Sequence, residues 1–311
     1  MEISIVVLIY NQRNTIRAAL DSILCQQCSL PYEIILGDDG STDGTREILR
    51  EYAARYPTLI RFRSGNHLGI KRNLVACLQL CTGSYIAFLE GDDFWTDPHK
   101  LEKQISFLKT HPAYVAVYHG YSNFDQNGND CPELPARFCS GEYTLQDYRK
   151  FLLPSQSSTL LMRNICPALL REHSTEIHRV RFMPPDRLGP LLLLTHGKLF
   201  CLPEIMSRRR KILCAAGSNW SSLHRMGHNP NYLYRFMIYR EMDLLLVRMG
   251  AAEAPDSFWA LRQEMYAKSR RAILRESNRF WMWFQGIAMR LLEPAKRETT
   301  YEDQCNHSGI Q

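Results

Sequence analysis

The chain has 311 residues, of which 45% are hydrophobic, 23% charged and 11% aromatic, enough apolar material for one large domain or two modest ones, and this excludes intrinsic disorder. Its longest uncharged stretch, residues 73–89, is broken by Thr82-Gly83-Ser84 and is not the run of about 20 apolar residues that a spanning helix needs. The net charge of +6 is uneven: residues 1–150 carry 15 Lys+Arg against 18 Asp+Glu and residues 151–311 carry 23 against 14, so one half suits a cation and the other faces anions.

Met1 to Val7 runs straight into a strand pattern, with no basic region and no cleavable apolar core, and a soluble intracellular protein is expected. Residues 3–10 (ISIVVLIY) form a continuous apolar run, as in a strand covered on both faces. Asn14 reads as an N-cap, and Ile16, Ala19, Leu20, Ile23 and Leu24 recur at helical spacing. A strand from Glu33 to Leu36 precedes a helix of about 12 residues from Arg46. A strand near Leu59 to Arg63, a helix from Gly69 to Leu80 and a strand from Ser84 to Leu89 follow. This alternation predicts a doubly wound α/β sheet. Beyond residue 120 the pattern loosens into Asn, Gly and Pro turns, with helices near Leu145 to Phe151 and over 188–194. Residues 232–292 read as mostly helical, and the polar tail 296–311 as disordered.

Asp38-Asp39 at one strand end and Asp92-Asp93 at another bring four carboxylates to one sheet edge, which is unfavourable unless a cation or hydrogen-bond donors offset it. Oxygen ligands without nearby His or Cys suit Mg2+ or Mn2+, bound through one or two carboxylates plus substrate phosphates. The plainer alternative is that Asp38, Asp39 and Asp43 cap the next helix and shape a turn.

Tyr10-Asn11 after the first strand, residues 38–45 (DDGSTDGT), 69–73 (GIKRN) and 83–93 (GSYIAFLEGDD), in this order and spacing, resemble family 2 glycosyltransferases of the GT-A fold. Residues 94–104 (FWTDPHKLEKQ) are similar to a bacterial subgroup of that family. The resemblance is strong over 1–115 and weaker over 150–222. It implies a mostly parallel sheet and a donor site at Tyr10 and Asn11. By position, Asp39 bonds the uracil or other base of a nucleotide sugar and Arg72 lines that pocket. Asp92 contacts ribose, and Asp93 holds a metal bridging two phosphates. Glu90 stands where the family often has Asp.

The same resemblance implies a catalytic base from an Asp that starts a helix. Residues 183–197 (MPPDRLGPLLLLTHG) fit and make Asp186 the candidate, with a helix N-cap as the alternative. Residues 202–207 also look like the family. Residues 208–212 (RRRKI) depart from its Tyr-Arg-x-His pattern: Arg210 matches and the His is missing. The basic cluster then either grips phosphates of donor or acceptor or is a solvated charged run. Residues 217–220 (GSNW) resemble a flexible acceptor-side loop, where Trp220 can stack on a sugar.

Other signals point to ordinary structure. Cys25 and Cys28 have a metal or redox spacing without a second pair, and the ten cysteines show no disulfide framework. His224 and His228 lack the partner Glu of a helical metal pair and read as surface or core residues. Nothing resembles a phosphate-binding Gly-Lys loop or a Gly-x-Ser-x-Gly elbow. Lys268, Arg271, Arg275 and Arg279 form a basic stripe running into Phe280, Trp281, Trp283, Phe284, Ile287 and Leu291. Two readings stand: an amphipathic helix on an anionic membrane, or a helix with its aromatics in the core.

The sequence predicts a GT-A catalytic domain over 1–222, with a nucleotide-sugar half (1–115) and an acceptor half (116–222), a helical extension over 223–295 and the tail. The expected activity is metal-dependent inverting transfer from a nucleoside diphosphate sugar, UDP-linked by preference. The expected acceptor is a hydroxyl of a bacterial glycan or lipid-linked glycan, in lipopolysaccharide, capsule or exopolysaccharide assembly. The expected location is the cytoplasm or the inner face of the cytoplasmic membrane, with no nucleic-acid partner. The alternatives are a polyprenyl-phosphate sugar synthase and a non-catalytic glycan-binding module on the same fold.

Overall fold

The computed structural model describes residues 1–132, 136–150, 152–170, 172, 185–211, 238, 241, 242 and 245. Its first half is β1 (Ile3–Ile9), α1 (Ile16–Leu24), β2 (Tyr32–Asp38), α2 (Thr45–Arg55), β3 (Ile60–Ser64), α3 (Ile70–Leu78) and β4 (Tyr85–Glu90). The remainder is β5 (Phe94–Trp95), α4 (Lys100–Thr110), β6 (Tyr114–Phe124), β7 (Gly141–Tyr143), α5 (Leu145–Arg149), a 3-10 turn (Ser157–Thr159), β8 (Leu161–Arg163), α6 (Pro185–Leu194) and β9 (Lys198–Arg210). The strands form one sheet ordered β3-β2-β1-β4-β8-β6-β9-β5, with β7 paired to β9.

β3, β2, β1 and β4 are parallel neighbours. The apolar run of β1 splits between two cores: Ile3, Ile5, Val7 and Ile9 pack on one face with Ile16, Leu20 and Ile23 of α1, and Val6 packs on the other with Ile35 and Ile86. Each such buried side chain contributes about 1.5–3 kcal/mol relative to exposure, so the strand ends that carry polar residues are held by a rigid layer. The chain winds outward through β2 and β3 and then returns to the opposite side of β1 as β4. Strand order therefore reverses at β1, and ligands of open α/β sheets bind at the carboxyl ends of strands at such a reversal.

The expected doubly wound sheet is present, with differences in detail. Thr15, not Asn14, is the N-cap of α1, and its hydroxyl does not cap the helix; it donates to the Gly91 carbonyl at 2.8 Å, tying the helix start to the end of β4. The loosening into turns begins after Phe124, not at residue 120, because β6 continues to Phe124 and pairs in parallel with the 13-residue β9. Register shifts around His119, Gly120 and Tyr121 break the two-residue periodicity that would have shown these strands in sequence. β8 runs antiparallel between β4 and β6.

Of the extension expected over 223–295, Ile238, Glu241, Met242 and Leu245 are described; they are helical. Ile238, Met242 and Leu245 are buried in the same core as Leu188, Leu191 and Leu192 of α6. Trp220, His224, His228, the basic and aromatic run 268–292 and the tail 296–311 lie outside the described residues. Among the described residues no helix is long and apolar enough to cross a membrane.

Candidate active site

The end of β2 separates its two aspartates. Asp38 is fully buried and accepts from the Ser41 backbone N–H at 3.0 Å, the Ser64 hydroxyl at 2.7 Å and Arg46 Nε at 3.0 Å. Burial pushes its carboxyl up, but these hydrogen bonds outweigh it and hold the group below its ordinary range. Asp43 accepts from the backbone N–H groups of Arg13 and Thr45. The turn-shaping role foreseen for the cluster thus describes Asp38 and Asp43.

Asp39 turns toward the loop before α3. Its carboxylate accepts from the backbone N–H of Leu68 at 2.7 Å and of Gly69 at 3.0 Å, with His67 Nδ1 also 3.0 Å away. Gly69 has φ +83, a left-handed conformation that favours glycine and lets both amides face one carboxylate. The Tyr10 ring, 46% exposed, stands 4.5 Å from the His67 ring. Asn11, at φ 51, accepts from the Thr42 N–H at 2.9 Å and donates its own N–H to Ser41 Oγ at 2.9 Å. Arg72 is exposed on α3. The structure thus places Tyr10, Asn11 and Asp39 at the adjacent carboxyl ends of β1 and β2, with His67 against both the Tyr10 ring and the Asp39 carboxylate.

At the end of β4, Glu90, Asp92 and Asp93 each offer a carboxylate oxygen, all within 4.8 Å of one another. Asp93 is 2% exposed; its Oδ2 accepts from the Ser158 hydroxyl at 2.7 Å and its Oδ1 from the Arg210 N–H at 3.0 Å. Glu90 accepts from the Ser157 hydroxyl. Burial, then the charge of Glu90, pushes the Asp92 carboxyl up to about 6, against the pull of Arg209 and Arg210. Asp93 is raised well above its ordinary range by burial and by the charges of Asp92 and Glu90. Local cations do not offset this crowding. An all-oxygen set under mutual repulsion fits a hard divalent cation such as Mg2+ or Mn2+.

The basic cluster reaches this group because β9 pairs with β5 in the register Phe94↔Arg208. Arg208 pairs with Asp130 and lies over the Phe94 and Phe124 rings. Arg210 donates Nε to the Asp92 carbonyl at 3.3 Å and a terminal N–H to the Gln126 carbonyl at 3.2 Å. Arg209 exerts its charge on Asp92, Asp93 and Asp186. All three are half-buried, so the cluster is not a solvated run.

Asp186 lies in the first turn of α6, which begins at Pro185, and is not its N-cap. Its side chain is accessible to solvent, yet the surrounding protein desolvates the carboxyl enough to raise it; Arg187 and Arg209 pull it back and Glu90 pushes it further up. That coupling links the α6 terminus to the acidic group at the end of β4. Sequence reasoning missed the hydroxyls of Ser157 and Ser158. The two serines carry neither charge nor periodicity, and only the fold brings them to the carboxylates.

The family model of glycosyl transferase family 2 matches residues 4–170 of the chain. The Mycobacterium tuberculosis (strain ATCC 25618 / H37Rv) protein Rv1520 is 43% identical over 212 residues, covering 67% of this chain and 58% of Rv1520. The chain thus spans under two thirds of the length of that relative. Among solved structures, S. aureus TarS 1–349 in complex with UDP-GlcNAc is similar with a TM-score of 0.55 and 19% identity, covering 78% of this chain and 66% of the other. The mannosyltransferase PcManGT from Pyrobaculum calidifontis, in complex with GDP-Man and Mn2+, gives a TM-score of 0.52 and 16% identity, covering 94% of this chain and 81% of the other.

Proposed function

The chain belongs to glycosyl transferase family 2 and has the GT-A fold, and from that premise we propose that it is a glycosyltransferase that moves a sugar from a nucleoside diphosphate sugar to a hydroxyl of a bacterial glycan, with inversion and with Mg2+ or Mn2+. The observation that carries this reading is the crowded group Glu90, Asp92 and Asp93, with the raised carboxyls of Asp92 and Asp93, on the same sheet edge as Asp39 at the strand reversal. The solved relatives, bound to UDP-GlcNAc in one case and to GDP-Man with Mn2+ in the other, support a nucleotide-sugar donor.

In this reading Tyr10, Asn11 and Arg72 line the nucleoside site, and the buried carboxylate of Asp39 accepts from the base. Asp92 contacts the ribose, and Asp93 with its acidic neighbours would hold the cation. When bound, that ion supplies positive charge for the departing diphosphate, so the leaving group needs no proton. Arg210 adds a second cation on the donor side. Asp186 takes the proton from the acceptor hydroxyl as its oxygen attacks the anomeric carbon. Its raised carboxyl suits this step, because a base works best with a pKa nearer the operating pH. A single displacement from the face opposite the leaving group inverts the anomeric configuration. The products are a glycoside, a nucleoside diphosphate and a proton.

The catalytic domain in this reading is 1–222, donor half 1–115 and acceptor half 116–222, with Trp220 stacking on the acceptor sugar and 223–295 as the extension. The basic and aromatic run 268–292 docks on an anionic membrane surface that presents a lipid-linked acceptor, on the cytoplasmic side. A screen of nucleotide sugars with and without Mn2+, scored by nucleotide release, tests the activity. Release from one donor that requires Mn2+ supports the reading, and release that is equal in EDTA contradicts its metal dependence.

A further inference from the structure

We propose that Ser157 and Ser158, in the 3-10 turn before β8, are positioning residues that preset the carboxylates of the cation site; this rests on the reading of Glu90, Asp92 and Asp93 as that site. The Ser158 hydroxyl accepts the Glu90 backbone N–H at 3.0 Å and donates to Asp93 Oδ2 at 2.7 Å. A hydroxyl has one proton and two lone pairs. With the amide donating to the oxygen, the single proton is directed at the carboxylate. Ser158 is fully buried, so no solvent competes for that bond. The neighbouring Ser157 donates to the Glu90 carboxylate. Two adjacent hydroxyls therefore orient two of the three repelling carboxylates, and the Arg210 N–H takes the other oxygen of Asp93 at 3.0 Å.

The turn is itself braced from behind. Trp95, 4% exposed, donates its indole N–H to the Ser158 carbonyl at 2.8 Å, and the Lys100 amine lies 3.8 Å from the centre of its ring. The Gln104 amide donates to the Thr159 carbonyl at 2.9 Å, and the Thr159 hydroxyl to the Gln156 carbonyl at 2.7 Å. Since Trp95 follows Asp93 by two residues, the same short segment that bears the acids also fixes the turn that orients them. Residues that orient metal ligands typically change metal affinity 10- to 100-fold when removed.

The test is direct titration of the whole protein with Mn2+ alone, read by electron paramagnetic resonance, alongside thermal unfolding in EDTA. Ser158→Ala is expected to weaken Mn2+ binding by roughly 10- to 100-fold, and Ser158→Thr, which keeps the hydroxyl, to retain it. Ser157→Ala is expected to weaken binding in the parent but not further in a Glu90→Gln background, because it acts through Glu90 alone. If Ser158→Ala lowers the unfolding midpoint in EDTA, the half-buried Ser157 and its Glu90→Gln pairing decide. Parent-like Mn2+ affinity in Ser157→Ala and Ser158→Ala overturns the positioning role while the cation site stands. A parent protein that binds no Mn2+, or that binds it unchanged after Asp93→Ala, overturns the cation reading itself and this inference with it.

Discussion

The backbone N–H of Arg210 donates to Asp93 Oδ1 at 3.0 Å, joining residues 117 positions apart at one point of the sheet edge. The last described strand thereby closes over the acidic end of β4. The charge asymmetry seen along the chain becomes a contact here, because the half-buried arginines of β9 face carboxylates whose own repulsion they only partly relieve.

That residual repulsion predicts a pH dependence of stability. Asp92, raised from an ordinary 3.8 to about 6, and Asp93, raised well above 3.8, keep protons in the native state that the unfolded chain releases. Stability falls with rising pH wherever the native state binds more protons. The contribution of Asp92 is therefore present below pH about 4 and lost as the pH rises through about 6, and that of Asp93 is lost as its own raised carboxyl ionises. Asp38 and Glu33, whose carboxyls are lowered, act oppositely and weaken the fold as the pH falls below their ordinary range. Buried His119, held neutral, acts oppositely over the same range, so thermal unfolding of metal-free protein should show a parent midpoint that declines from about pH 5 to 7 relative to that of Asp93→Asn or of the Mn2+-loaded parent. A midpoint that rises across that range and ignores Asp93→Asn contradicts the assignment.

The aspartates of β2 should separate by phenotype. Asp38→Ala removes a buried acceptor of three hydrogen bonds and leaves Arg46 without its carboxylate, so urea unfolding should show a loss of about 3 kcal/mol. Asp39→Asn should leave stability closer to the parent and weaken nucleotide binding. Equal effects of the two substitutions on both measurements would remove Asp39 from the donor site.

Asp186→Asn should lower turnover by roughly 100- to 10,000-fold with donor affinity unchanged, the pattern of a lost general base. In the parent, turnover should rise with pH through a carboxyl raised above the ordinary Asp value. A fully active variant would mean that the acceptor needs no base, as a phosphate acceptor would not.

Vesicle sedimentation tests membrane docking through 268–292. Binding to anionic but not neutral vesicles, lost on replacing Arg271, Arg275 and Arg279 by Gln, is expected, since each basic residue near such a surface contributes about 1 kcal/mol. Unfolding of the protein by Trp281→Ser and Trp283→Ser would instead place this run in the core.

The parts of the fold legible in sequence are those where one residue type repeats without interruption. β1 is a run buried on both faces, and α1 carries Ile16, Ala19, Leu20 and Ile23 at helical spacing. The acids at Asp38-Asp39 and Asp92-Asp93 were legible because paired carboxylates are conspicuous at strand ends. β6 and β9 were not, since shifts of register disrupt alternation and buried polar residues such as His119 and Asn123 interrupt the apolar signal. The burial of Arg208, Arg209 and Arg210 depends on the pairing of β9 with β5, which no local pattern encodes. Ser157 and Ser158 acquire their role only through partners 65 or more positions away.

The central claim is that the acidic group ending β4 holds a divalent cation together with a nucleoside diphosphate. Calorimetric titration of UDP into the parent and Asp93→Ala proteins, each with Mn2+ and with EDTA, tests it most directly. Tight binding is expected only in the parent with Mn2+, with a loss of affinity in the other three mixtures, and thermal unfolding of the Asp93→Ala protein checks that its fold is retained after the loss of a buried, hydrogen-bonded acid. Equal UDP affinity of the parent in Mn2+ and in EDTA, or of Asp93→Ala and the parent in Mn2+, would contradict it.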